Sequence, residues 1–351
     1  MPKALLYSDL HIRPERLADC DHALTVIGQA AKEHGVEYII NLGDTFDVRG
    51  IVHTGCLETL RNHYLQWAKD GLKQIILVGN HDQEDREGVV HPMRVFASYP
   101  GWVVVDRPMV IRRASNWAFF PYMHKITEAD IDAVVRARNI DYAFVHWGIK
   151  GAKRNDKNVD TDGVPPEWIA KKVGTVFSGH YHYRSTFGMH GIQYVGSPIQ
   201  QDFGERDQEK GYMIFDEVER SSRFYPIMGT RKHYQIEVLF DPDGNPAVSG
   251  DMSDIQKGDF LKATIKGEEA IVSGFSDADL RKLIPKEANP GRLLIERDIN
   301  DGSSSRIELT GTEIHSTRTV MQKYVDHVDT DLDKERLLNM GFEMLEGLSH
   351  E

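Results

Sequence analysis

Cysteine is scarce in this chain. Cys20 and Cys56 sit far apart in 351 residues, each inside a helical pattern. That excludes a disulfide-stapled framework and a paired-cysteine metal site, and it fits two buried thiols in a reducing compartment. Long apolar runs are also missing. No stretch approaches the roughly 18 residues of a membrane span. The opening Met1-Pro2-Lys3-Ala4-Leu5-Leu6-Tyr7-Ser8 reads as a strand lead-in and lacks a secretory core with a cleavage site. A cytoplasmic location is the expectation. Positive charge is in deficit: Lys and Arg number 42 against 54 Asp and Glu, a net charge of -12. A freestanding DNA grip is usually basic. The deficit weighs less against a metal-dependent DNA-cutting role, because bound cations reverse the local field. There is no Gly-x-x-x-x-Gly-Lys-Ser/Thr loop for nucleotide triphosphates, no internal repeat and no low-complexity tract.

What remains is an ordinary globular composition, 40% hydrophobic and 27% charged, with one unusual pattern. Five short apolar runs, 4–7, 38–40, 75–78, 142–145 and 176–177, read as buried strands. They are followed by Asp9-Leu10-His11, Gly43-Asp44-Thr45-Phe46-Asp47, Gly79-Asn80-His81-Asp82, His146-Trp147-Gly148 and Gly179-His180-Tyr181-His182. In open α/β sheets, ligands sit outside the carboxyl ends of strands, so one geometry would bring all five clusters to one edge.

The first part alternates strand and helix, with helices expected over 17–34 (stopping at Gly35), over 55–70 (stopping at Gly71), and after Thr127 as N-cap. Such alternation indicates an α/β fold with a parallel or mixed sheet and helices on its faces. Short strands dominate from 174 to 225. The character changes near Gly229-Thr230-Arg231, which places a first domain at 1–230 and a small α+β module at 231–300. The latter has strands over 233–240, 259–266 and 293–296, and a helix over 276–283. Asn300-Asp301-Gly302-Ser303-Ser304-Ser305 has a connector's composition. Beyond it, within 301–351, two helices are expected over 316–328 and 332–348. The tail is acidic, with apolar positions suited to docking on a protein.

Hydrolysis of a phosphodiester needs a nucleophile at neutral pH and neutralisation of charge at phosphorus. Two metal ions roughly 3.5–4 Å apart supply both. Asp44 suits the bridging carboxylate, since it ends a strand beside Gly43. A shell mixing imidazole with oxygen suits Mn²⁺, Fe or Zn better than Mg²⁺ or Ca²⁺. Each cluster alone also reads as turn chemistry or surface histidines. It is their order, each after an apolar run, that favours a site.

The ordered set Asp-x-His, Gly-Asp-x-x-Asp, Gly-Asn-His-Asp, His, Gly-His-x-His resembles the calcineurin-like metallophosphoesterase superfamily. A second stretch, Tyr194-Val195-Gly196-Ser197-Pro198-Ile199-Gln200-Gln201-Asp202-Phe203-Gly204-Glu205 followed by Lys210-Gly211-Tyr212, resembles the SbcD-type nuclease subunits, bacterial and phage relatives of the meiotic-recombination-eleven nuclease. The resemblance implies a sandwich of mixed sheets flanked by helices, with a small α+β capping domain and a helical C-terminal tail. It implies one metal on Asp9, His11, Asp44 and His182, and a second on Asp44, Asn80, His146 and His180. His81 is not expected to be a ligand. It would stabilise the transition state or protonate the leaving oxygen, as a histidine can near neutral pH. Asp47 would act from behind the ligands, and Asp82 would orient His81 or its loop.

The same resemblance implies a Mn²⁺-dependent nuclease that processes DNA double-strand ends. It would be a 3′→5′ exonuclease on duplex and an endonuclease on single strands, as a homodimer with an SbcC-like coiled-coil ABC ATPase in a bacterial cytoplasm. Arg49, His53 and the basic loop with Lys150, Lys153 and Arg154 either contact DNA phosphates or form a solvated surface. Two other readings stay open: a phosphodiesterase or phosphatase acting on a small molecule or phosphoprotein, and a non-catalytic DNA-end scaffold.

Overall fold

The computed structural model describes residues 3–299, apart from 48–50, 114, 137–138, 156–157, 189–190, 286–287 and 289, together with Lys334, Arg336 and Leu338. Arg49, the 300–305 connector and the rest of the expected tail helices lie outside the described residues. In chain order the strands are β1 (Lys3–Tyr7), β2 (Tyr38–Asn41), β3 (Lys73–Leu77), β4 (Trp102–Val105), β5 (Met109–Arg112), β6 (Asn116–Phe120), β7 (Tyr142–Val145), β8 (Thr175–Ser178), β9 (Ser185–Phe187), β10 (Ile192–Tyr194), β11 (Gly211–Asp216), β12 (Ser221–Pro226), β13 (His233–Phe240), β14 (Pro246–Ser249), β15 (Phe260–Gly267) and β16 (Arg292–Ile299). The helices are α1 (Leu17–Glu33), α2 (Thr54–Lys69), α3 (Glu128–Val135), α4 (Glu167–Ala170), α5 (Glu269–Gly274) and α6 (Asp277–Leu283).

Two six-stranded sheets carry the fold, in the orders β12-β11-β1-β2-β3-β4 and β5-β6-β7-β8-β10-β9. Strands β1 to β4 run parallel, as do β6, β7, β8 and β10. Antiparallel β11, β12, β5 and β9 complete the sheets. Side chains alternate between faces along a strand, and both faces here are apolar. Leu5, Tyr7, Ile39 and Ile76 pack with Leu24, Ile27, Leu60 and Trp67 of α1 and α2. Ala4, Leu6, Ile40 and Leu77 turn the other way and meet Trp117, Phe119, Phe144 and Phe177 of the second sheet. The outer face of that sheet, with Ala118, Ala143, Val145 and Val176, packs with Ile131, Val134 and Ile169 of α3 and α4. The result is helices, sheet, sheet, helices: a mixed-sheet sandwich around an aromatic centre.

Helix ends follow the local chemistry. Gly35 and Gly71, just past α1 and α2, adopt φ of 60° and 82°, conformations open to glycine without a Cβ penalty. Thr127 and Asp130 form a capping box at the start of α3.

Contacts divide the chain into two compact units. One comprises residues up to 235 with 251–262 and 285–294. The other comprises 236–250, 263–284 and, among the described residues near it in sequence, 295–299. The second unit has its own small core, with Ile236, Val238, Ala263, Ile265, Val272 and Leu280 all buried. A four-stranded sheet, β14-β13-β15-β16, underlies it. The Pro-, Gly- and Asn-containing stretch 241–246 is a hairpin turn leading into β14. Asp241 caps it by accepting from the N–H groups of Asp243 and Asn245.

Among the described residues no helix is long and apolar enough to cross a membrane. Phe144 is fully buried between the sheets, stacked on Phe119 and Phe177 at 5.0 and 5.6 Å. Phe144→Ala is expected to cost about 3–5 kcal/mol, read as a lower urea midpoint by circular dichroism. An unchanged midpoint would mean the intersheet centre is not a stability determinant.

Candidate metal centre

Parallel strands β1, β2 and β3 of one sheet and β7 and β8 of the other deliver the five clusters to their carboxyl ends. The loops beyond β1 and β2 stay paired past the strands: Asp9 N–H donates to Gly43 O at 2.9 Å, His11 N–H to Asp44 O at 3.1 Å and Ile12 N–H to Thr45 O at 2.9 Å. Asp9, His11, Asp44 and His180 all hold left-handed backbone, with φ of 54°, 46°, 52° and 83°. Each such residue costs about 1–3 kcal/mol and persists only where its surroundings over-determine it. Four together, at the strand ends of the two facing sheets, mark a built site.

The side chains converge in two adjacent groups. Asp9, His11 and His182 offer ligand atoms within 4.8 Å of one another, and so do Asp44, His146 and His180. The Nε2 atoms of His11 and His182 face each other at 3.0 Å. Asp44 Oδ2 lies 3.7 Å from His11 Nε2 and 3.2 Å from His146 Nε2, so one carboxylate reaches both groups. Asn80 Oδ1 stands 3.1 Å from His146 Nε2 and 2.8 Å from His180 Nδ1. These facing ring nitrogens, carboxylates and an amide oxygen have more lone pairs than hydrogens among them, the donor chemistry that divalent cations satisfy. The mixture of imidazole and oxygen fits a two-ion centre.

A second layer sets the ring orientations. His146 Nδ1–H donates to Leu42 O at 2.7 Å, which turns Nε2 toward Asp44 and Asn80. His182 Nδ1–H donates to Glu205 at 2.6 Å, which turns its Nε2 toward His11. Asp9 also accepts the His180 backbone N–H at 3.1 Å, tying the two sheets together.

His81 lies within ligand distance of His11 and Asp44. Its backbone N–H donates to Asp44 Oδ1 at 2.8 Å and its Nδ1–H to Asp47 O at 3.0 Å. So Asp47's carbonyl orients His81, while its carboxylate faces His11 Nδ1 at 3.3 Å and Arg13 at 3.1 Å. Asp82 is buried away from the His81 ring. Its carboxylate accepts from Phe46 N–H and Gly79 N–H, both at 2.9 Å, and so clamps the loops after β2 and β3.

The electrostatics follow from burial and neighbours. Burial opposes charge on Asp44, but His146, His11 and His81 outweigh it and hold the carboxyl well below the usual carboxylate range. Burial likewise opposes a charged His146, yet Asp44 and Asp9 raise it to about 9. Burial, with His146 nearby, lowers His180 to about 4. Burial and the Asp44 charge raise Asp82 to about 6.

Among the residues expected to contact DNA, His53 is exposed at the position capping α2. Lys150, Lys153 and Arg154 share one loop, with Arg154 paired to Asp160 at 3.0 Å. Glu205 and Lys210 have roles that the sequence reading did not assign, although both lie in the stretch quoted for the resemblance. Lys210 Nζ lies 2.7 Å from Glu205. Burial opposes charge on Glu205, and His182 and Lys210 overcome it, holding the carboxyl at about 2. Gln201 is a third such residue, its amide donating to Asp9 O and Leu10 O at 3.2 and 3.1 Å. Spacing alone had no way to flag these three, because they touch candidate ligand residues rather than offer ligand atoms themselves.

The model of the calcineurin-like phosphoesterase family matches residues 2–184, and the chain belongs to that family. It is therefore a metal-dependent phosphoesterase, a hydrolase that uses divalent ions. Over 317 residues it is 24% identical to exonuclease subunit 1 of Enterobacteria phage T4, covering 88% of this chain and 86% of that relative. Two solved structures are similar at low TM-scores. One is a dimetal phosphatase from Danio rerio (TM-score 0.40, 10% identity, 61% of this chain and 91% of that one). The other is nuclease MPE from Pseudomonas putida (TM-score 0.32, 16% identity, 64% and 87%).

Glu205→Gln keeps the shape but removes the charge that meets His182 Nδ1–H. Mn²⁺ affinity by isothermal titration calorimetry should fall about 10- to 100-fold. Wild-type affinity in that variant would show that Glu205 does not orient the ligand.

Proposed function

We propose that this chain is a Mn²⁺-dependent DNA nuclease subunit that processes double-strand ends. The observation that carries the reading is the carboxylate of Asp44, within reach of both ligand groups at the floor of the site. The likeness to an exonuclease subunit along 88% of the chain supports DNA as the substrate.

In this reading Asp9, His11, Asp44 and His182 hold one ion, and Asp44, Asn80, His146 and His180 the other. Two such ions supply an activated water and neutralise charge at phosphorus. His81 keeps Nδ1–H on Asp47 O, which leaves Nε2 to donate to the phosphate or to the leaving oxygen. Asp47 positions His81 and His11, and Asp82 positions the loops that carry Asp44 and Asn80. The domain plan is a catalytic domain at 1–230, a capping domain at 231–300 and a partner-docking tail at 301–351. The partner is an SbcC-like coiled-coil ATPase, the assembly a homodimer and the location cytoplasmic. Duplex 3′→5′ exonuclease and single-strand endonuclease activities, used in DNA repair, recombination or replication, complete the proposal.

Cleavage of end-labelled linear duplex by the purified chain is the direct test. Shortening with Mn²⁺ is expected, abolished by chelator and by Asp44→Asn. Hydrolysis of a small chromogenic diester with no cut in DNA would overturn the nuclease reading in favour of a small-molecule phosphodiesterase. His81→Ala should retain two Mn²⁺ per chain yet lose about 10²- to 10⁴-fold in cleavage. Full activity would remove His81 from the mechanism.

A further inference from the structure

Two clefts flank His180. One, of about 450 Å³, is walled by Tyr122, Lys125, Trp168 and Arg154. The other, of about 310 Å³, is walled by Tyr183, Asp202, Gln208 and Arg154. Arg154, like His180, lines both clefts.

Its placement is set by a buried acid. Asp160 is 4% exposed. Its Oδ1 accepts from Arg154 Nη2, Asp162 N–H and Gly163 N–H, each at 3.0 Å. Its other oxygen accepts the Tyr181 hydroxyl, and Tyr181 lies between the ligands His180 and His182. Glycines make room for this acid: a Cβ on Gly148 or Gly163 would lie 2.6 or 2.4 Å from Asp160 Oδ2. The backbone around it is closed by Asp160 N–H to Ala152 O at 2.9 Å and Gly151 N–H to Asp160 O at 2.8 Å. The Arg154 side chain is nonetheless 49% exposed. Asp160 and the Tyr181 hydroxyl hold one side of its guanidinium, and about half of the side chain is open to solvent. A planar fork held this way presents its remaining N–H groups in a fixed direction, the geometry that binds a phosphate bidentately.

We propose that Arg154 seats a phosphate of the nucleic-acid strand flanking the scissile one, and that Asp160 is the positioning residue that aims it. Asp160 also holds Tyr181, so the phosphate seat and the loop carrying two metal ligands share one anchor. This inference rests on the nucleic-acid reading above.

The test is binding of a fluorescein-labelled single-stranded oligonucleotide to the full chain, by anisotropy across a salt series in EDTA, so that the strand stays intact. Arg154→Ala should weaken binding about tenfold and lower the slope of log K against log salt by about one. Asp160→Asn discriminates further. Charge alone predicts tighter binding, since an acid near a polyanion has been neutralised. Positioning predicts weaker binding with the salt slope retained, because the cation is present but misaimed. If Asp160→Asn fails to fold, the exposed Arg154→Lys serves instead: charge and slope are kept, and affinity falls because the fork is lost. Unchanged binding in Arg154→Ala, or equal or tighter binding in Asp160→Asn, would overturn the proposal while leaving the nuclease reading intact. A wild-type chain that binds no oligonucleotide yet hydrolyses a small diester would sink both.

Discussion

The carboxylate of Asp44 is the point about which the site is built. It accepts the His81 N–H, faces His146 and His11, and sits on left-handed backbone at the end of β2. Three loops must press together to hold it. A Cβ on Gly79 would lie 2.1 Å from Asp44 Oδ1, and one on Gly43 2.5 Å from the His146 ring. Glycine at both positions is therefore a requirement of close approach. A buried anion among imidazoles is costly unless neighbours compensate it, and here the compensation is shared by several rings. The cluster is thus a candidate divalent-ion centre of the kind the family uses.

The sandwich makes that arrangement affordable in structural terms. Asp9 to His180 and Asp44 to His146 are bonds between loops of different sheets, so the site exists only while the two sheets keep their spacing. Trp117, Phe119, Phe144 and Phe177 set that spacing by close packing across the centre. A rigid aromatic layer below offsets strained backbone above, and the functional loops inherit precision from the strands that end beneath them.

Much of this was legible beforehand. Runs such as Ile75–Val78 and Tyr142–Val145 are apolar on both faces, the mark of strands buried on both sides. Gly35, Gly71 and Thr127 punctuate helices by mechanisms that act within a few residues. Other parts were not legible. Strands β4 and β6 lie beside parallel partners, β3 and β7, that come from distant parts of the chain, while β5 pairs with its neighbour β6. Asp82 was expected to orient His81 or its loop; its carboxylate accepts from Gly79 N–H in that loop and also from Phe46 N–H, 36 residues away, a partner that adjacency in sequence does not disclose. The split of 231–300 between two compact units likewise depends on contacts that composition does not encode.

Local pattern specifies the chemistry on offer: the types of candidate ligand, their order and their positions just after buried strands, because strand periodicity and turn residues are local properties. Which side chains face one another is settled by the closed fold. His11 meets His182 across 171 residues, Glu205 and Lys210 stand behind His182, and Asp160 joins Arg154 to Tyr181. Those pairings arise when two sheets close on a common core, and no local rule of the chain specifies a hydrogen bond between residues that meet only after that closure.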